Sequence, residues 1–264
     1  MLTRARSRVD FYLVSLHHRD MTQFLAPLTL LLCLTFAGST LLIPDFGGFD
    51  ADQFPVPQED PPVQPAGYAF AIWGVIYLWL LAGAVFGLIR RRDNRDWQTM
   101  RLPLCLSLAI GTIWLPVAVN SALWAAVLIW LMLIPALLAL SRAPVTDKGW
   151  AMLPVGLYAG WLSAASCVAL GLVAAGWGLL AQDIAAFAFI LLALVLASAV
   201  QNAAGRTPTY GIAVVWALVA IVVHNLSADT LNANPTVAAL ATGGAVTLAW
   251  RTFTIWRTDR PASA

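Results

Sequence analysis

The chain has 264 residues, 60% of them hydrophobic and only 11% charged, with a net charge of +2. A soluble globular domain carries about 25% charged residues, so this composition excludes one and describes an integral membrane protein with several spans. The small net charge excludes a nucleic-acid partner, and Cys33, Cys105 and Cys167, each set in an apolar run, give neither a disulfide framework nor a metal spacing and read as packing residues.

Residues 1–22 carry Arg4, Arg6, Arg8 and Arg19, and Phe11–Leu16 is apolar but too short to span. This start is too long and polar for a signal peptide, so span 1, about Phe24–Ile43, is retained. The loop Pro44–Ala66 holds five acids, five prolines before Pro65, and no Lys or Arg. Span 2, Pro65–Ile89, has 25 uncharged residues, enough at about 1.5 Å per residue to cross a hydrocarbon core of roughly 30 Å. Its Gly83 and Gly87 form a small-residue pair that admits a close neighbour. Arg90, Arg91, Arg92, Arg95 and Arg101 follow it.

Leu102–Ser141 then runs 40 residues without a charge, about twice the length one span needs. Pro116, Asn120 and Ser121 mark a turn, so span 3 ends near Val119 and span 4 starts near Ala122. After Arg142 and Lys148, the stretch from Gly149 to Val200 divides at Gly176-Trp177-Gly178 into spans 5 and 6. Span 7 is about Thr209–Leu226 and span 8 about Thr236–Ile255. With eight spans and the N-terminus inside, all 15 Lys and Arg fall at the cytoplasmic side, so both termini are expected in the cytoplasm. The predicted fold is an all-α polytopic bundle: a cytoplasmic segment 1–22, a five-helix membrane core 23–177, three additional helices 178–257 and a cytoplasmic tail 258–264.

Pro65-Ala66-Gly67-Tyr68-Ala69-Phe70, followed by Trp73 and Tyr77, resembles the second-helix start of the tryptophan-rich sensory proteins, the TspO/MBR family. Trp114-Leu115-Pro116 is similar to the end of that family's third helix, and Trp124-Ala125-Ala126-Val127 to the start of its fourth. Leu157-Tyr158-Ala159-Gly160-Trp161-Leu162-Ser163-Ala164-Ala165-Ser166 is similar to its fifth-helix motif. The resemblance covers roughly residues 24–177. Gly111 and Ala169 stand where the pattern has asparagines, departures that bear on ligand specificity more than on fold. The resemblance implies a five-helix core binding apolar or tetrapyrrole ligands, such as haem precursors or sterol-like lipids. Porphyrin breakdown enters only as an activity argued for the family.

Topology sends Phe70, Trp73, Tyr77, Trp114, Trp124, Tyr158 and Trp161 toward the outward half of the bundle, under the proline-rich loop. Binding pockets are mostly apolar and aromatic with a few polar groups, which suits a flat apolar ligand there. An interfacial belt of Trp and Tyr is the other reading of these residues. Asn120 at the turn and Ala165 in the fifth-helix motif complete the expected ligand-binding set. Gly156, Gly160 and Ala164 form a second small-residue face, suited to packing within the bundle or, with Gly83 and Gly87, to a homodimer. Asp183 begins span 6 at the outer interface and reads as a solvated helix start. No catalytic set, phosphate loop, metal spacing or resident cofactor is expected, and haem ligation by His17, His18 or His224 has no support.

The expected function is therefore a non-enzymatic ligand-binding or sensory protein of the cell membrane, bacterial inner membrane by type, with membrane lipids and an apolar or tetrapyrrole molecule as partners. A secondary transporter for a small solute is the alternative. Transporters usually keep carboxylates or broken helices near the midplane, and spans 1–5 have no charge in their interiors.

Overall fold

The computed structural model describes residues 24–41, 43, 46–203, 207–227 and 233–258. The expectations for residues 1–22, His17, His18, Arg206, Asp229 and the tail from 259 fall outside the described residues. Among the described residues there are eight long helices and no strand. They are α1 Phe24–Leu41, α2 Ile72–Arg90, α3 Arg95–Ala118, α4 Ala122–Ser141, α5 Met152–Gly176, α6 Gln182–Ala203, α7 Pro208–Leu226 and α8 Pro235–Thr258. A 3-10 turn, Gly67–Ala71, leads into α2. Helices α1 to α7 are each long and apolar enough to cross a membrane, whereas α8 is more polar, with several threonines, Arg251 and Arg257.

The helix breaks have local causes. Past α5, Gly178 takes φ +70, a conformation glycine adopts at little cost. It lets Gly178 N–H donate to the Ala175 carbonyl and Leu179 N–H to that of Ala174, both at 2.9 Å, which closes the helix in a Schellman motif. The α3–α4 turn is short, and the Ser121 side chain accepts from Trp124 N–H to start α4. Asn234 caps α8, accepting from the backbone N–H groups of Thr236 and Val237.

One boundary differs from the sequence reading. Helix α3 begins at Arg95 rather than Leu102, because Asn94 accepts from Trp97 N–H and caps it early. Arg101 thus lies inside the helix and is 1% exposed. It donates to the carbonyls of Gly87, Arg91 and Arg92 at 2.7–3.1 Å, satisfying the open carbonyl end of α2. Arg91 grips Asp147 with two bonds of 2.8 and 3.1 Å, and Trp97 Nε1 donates to the same carboxylate at 2.9 Å. The Arg91 hydrogen bond holds the Asp147 carboxyl below the usual carboxylate range, with Trp97 assisting. The α2–α3 and α4–α5 connections are tied together by this clip.

Helix α5 sits in the middle. It packs on α2, α4, α6 and α7, and its small residues let them come close. A Cβ on Gly160 would lie 2.3 Å from the Tyr210 carbonyl oxygen of α7, and one on Gly156 would meet the Thr207 and Thr209 side chains. Gly83 abuts the Trp150 backbone and Gly87 the Trp97 ring. All four glycines are thus used in contacts within the chain. Buried hydroxyls join the helices: Ser163 with Tyr210 at 2.9 Å, and Tyr158 with Ser107 at 2.7 Å. Helix α1 docks on α2 and α3, with Phe36 filling the space left by Gly111.

Candidate ligand site

The turn after Pro65 leads into α2, which packs on α5. Phe70 and Trp73 meet Trp161 edge to face, with ring centroids 5.9 and 6.1 Å apart. Such edge contacts contribute about 0.5–1.5 kcal/mol per pair beyond area burial. Trp161 is 2% exposed and follows Gly160 directly in the chain, so the close approach of α7 at that glycine sets its position. Between these rings lies a cavity of about 50 Å³. Its inner wall includes Phe70, Trp73, Trp114, Trp161, Ala165 and Ala169, and α7 contributes Ala217.

A lid of residues 46–66 closes the outer side. Phe46 packs edge-on against Phe70 and Trp114, and Phe49 links Phe46 to Phe54. Phe46, Phe49, Gln64 and Pro65 line the cavity from above. The lid is fastened at its edges. Val56 N–H donates to the Gly176 carbonyl at 2.9 Å, Ala66 N–H to that of Ala220 at 3.1 Å, and Gln53 Nε2 to that of Ala118 at 3.0 Å. Buried Asn225 Nδ2 donates to the Pro62 carbonyl at 2.8 Å, while its Oδ1 accepts from Asn234 N–H. Phe54 presses on Gly176, where no Cβ would fit.

Of the nine residues expected at the site, five line the cavity: Phe70, Trp73, Trp114, Trp161 and Ala165. Tyr77 and Tyr158 lie one layer below. Tyr77 stacks on Trp73 at 5.4 Å, and Phe36 of α1 meets both tyrosines edge-on. Asn120 and Trp124, also in the expected set, stand apart from the cavity. Asn120 is exposed and donates to the Pro116 carbonyl at the end of α3. Trp124 is 63% exposed, because the buried stripe of α4 runs through Ala122, Ala125, Ala126 and Ile129 and leaves position 124 off it. Asp183 lies in the first turn of α6 and accepts from Asn234 Nδ2 at 2.8 Å, outside the cavity.

Sequence reasoning missed Phe36, the lid phenylalanines and Ala217. Phe46, Phe49 and Phe54 were legible as aromatics within an otherwise acidic, proline-rich loop, which a solvated loop would not need. Ala217 carries no such signal.

The indoles differ in their polar pairing. Trp114 Nε1 donates to the Ala125 carbonyl, Trp130 Nε1 to that of Ser166 and Trp216 Nε1 to that of Ala69. Trp161 Nε1 is buried and has no acceptor. The Trp161 residue lines the cavity, while this nitrogen itself is buried within the packing. Among the described residues, no group of three or more His, Cys, Asp or Glu could hold a metal.

A bundle of helices of membrane-spanning length and apolar composition, with a small aromatic cavity against α5, defines a polytopic helical membrane protein. The family model for the TSPO-like proteins matches residues 56–254, and the chain belongs to that family. The match takes in α2 to α7 and most of α8, further along the chain than the motifs within residues 24–177, and leaves α1 outside. No curated protein and no solved structure matches the chain.

Proposed function

We propose that this protein binds a flat, mostly apolar ligand between the lid and α5, with the Trp161 indole N–H as its polar anchor, and that the ligand is a tetrapyrrole or a sterol-like lipid. The observation that carries the reading is Trp161, which lines the aromatic cavity and whose buried Nε1 has no acceptor. An unpaired buried donor costs about 1–3 kcal/mol, which a ligand carbonyl, carboxylate or ring nitrogen would recover. The family resemblance supplies the tetrapyrrole.

The cavity volume of about 50 Å³ holds only a few waters, whereas sites for drug-sized ligands run to roughly 300–1,000 Å³. Binding a tetrapyrrole therefore requires the lid to lift, withdrawing Phe46 and Phe49 from the space they fill. The lid's edge hydrogen bonds are few, and each contributes about 0.5–1.5 kcal/mol net, so partial release is within reach of a ligand's binding energy. In this reading the protein senses or carries its ligand, and the ends of α5 and α7 hold the lid.

Titration of the purified protein with protoporphyrin, read by tryptophan fluorescence, tests the site. Wild type should quench saturably. Ala165→Leu, which fills the cavity, should weaken binding at least about tenfold, the effect of roughly 1.4 kcal/mol. Trp256→Ala, at the far end of α8, should bind as wild type does. Absence of saturation in wild type, or equal behaviour of the two variants, defeats the proposal.

We further place the lid outside the cell membrane of a bacterium and both termini in the cytoplasm, on the one-sided distribution of Lys and Arg. Asp52 and Asp93 lie in the connections at opposite ends of α2, and both are exposed. A membrane-impermeant thiol reagent added to intact cells should label Asp52→Cys and spare Asp93→Cys. The reverse pattern would invert the topology.

A further inference from the structure

A groove of about 500 Å³ lies between α7 and α8, away from the lidded cavity. Its walls include Ile212, Trp216 and Val219 of α7 and Ala249, Phe253 and Trp256 of α8. Ile212, Val219, Phe253 and Trp256 are each between 41% and 51% exposed, so the groove opens sideways to whatever surrounds the bundle. Along α7 it runs from Pro208 to Val219, about 17 Å of helix at 1.5 Å per residue. That is close to half of a hydrocarbon core of roughly 30 Å, the depth of one leaflet. One end of the groove is therefore at a membrane surface and the other near the midplane.

The surface end is basic. Arg257 stands over the Phe253 ring at 5.2 Å, where the groove begins, and the residue is exposed. Arg251 lies a little under two turns back and donates to Asn202. The aromatic run Trp250, Phe253 and Trp256 has the composition of a headgroup-level belt. An aliphatic and aromatic trough one leaflet deep, with an exposed arginine at its end, is complementary to an acyl chain carrying a negative headgroup.

We propose that this groove is a binding site for an anionic phospholipid of the leaflet at the basic end, with one acyl chain between α7 and α8 and the headgroup phosphate on Arg257. The arginine fork suits a phosphate bidentately, and an ammonium-bearing zwitterionic headgroup would bring its own positive charge to the same place. The site is separate from the lidded cavity and does not depend on what that cavity binds.

The test uses the full chain in phosphatidylcholine vesicles containing a fixed fraction of lipid brominated on its acyl chains, either phosphatidylglycerol or phosphatidylcholine. Bromine quenches nearby indoles, and the difference between wild type and Trp256→Phe isolates the Trp256 emission. Brominated phosphatidylglycerol should occupy the site about fivefold more than brominated phosphatidylcholine, the effect of one arginine at an anionic surface. Arg257→Gln should remove that preference while leaving Trp256 accessible to both lipids, and Arg257→Lys should restore part of it. Equal quenching by the two lipids in wild type overturns the proposal, as does a preference that survives Arg257→Gln. A Trp256 emission that neither lipid quenches also overturns it, because a second protein surface would then cover the groove.

Discussion

Gly160→Leu is expected to break the centre of the bundle. A Cβ at this position would lie 2.3 Å from the Tyr210 carbonyl oxygen and 3.0 Å from the Ala213 Cβ. The obstacle is backbone, which cannot rotate away as the end of a side chain can. Helices α5 and α7 would have to move apart to admit it. The Tyr210–Ser163 bond of 2.9 Å and the Thr209–Leu153 bond of 2.7 Å would be lost with the contact. Overpacking of this kind costs about 1–3 kcal/mol, and each lost hydrogen bond between membrane helices about 0.6 kcal/mol more. Gly243 offers the matched control, because a Cβ there meets nothing within 4 Å and alanine improves helix propensity. The midpoint of thermal or detergent unfolding should therefore drop sharply for Gly160→Leu and hold or rise for Gly243→Ala. Equal unfolding midpoints would mean that α5 and α7 do not meet at Gly160.

Trp161→Phe is expected to separate binding from stability. The substitution removes the unpaired buried N–H, which relieves about 1–3 kcal/mol of desolvation cost in the empty protein. It also removes part of an aromatic surface packed on Phe70 and Trp73, which costs a similar amount in lost contact and enlarged cavity. The two terms oppose each other, so the unfolding midpoint should move little. The ligand meets only the loss: without the donor its acceptor goes unpaired in an apolar site. A hydrogen bond of about 1–2 kcal/mol corresponds to a roughly five- to thirtyfold rise in Kd for a porphyrin. An unchanged Kd alongside an unchanged midpoint would remove Trp161 as the anchor and leave a purely apolar site.

Much of the architecture is legible in the sequence, because the bilayer imposes a length that composition reveals. Uncharged runs of span length and the glycine and proline breaks are enough to set the number and order of helices. Part of the cavity wall is legible too, since Phe70 in the turn before α2, Trp73 in its first turn and Trp161 on α5 all stand within the family-like motifs. Arg101 shows where this reading stops. As a charge beside an apolar run it marked the edge of a span, yet it is buried inside α3 as the partner of the carbonyl end of α2.

The sequence alone determined which segments are helices and their order along the chain. Only the tertiary structure decided which way each helix turns about its axis. A span that is apolar all round has no polar face to betray its inward side, so Trp114 and Trp124 carry the same local signal. Packing separates them: Trp114 goes to the cavity with its indole on the Ala125 carbonyl, and Trp124 goes to the outer surface. The lid and Ala217 reach the same cavity from distant parts of the chain, and contacts of that kind follow from how neighbouring helices interlock rather than from any local pattern.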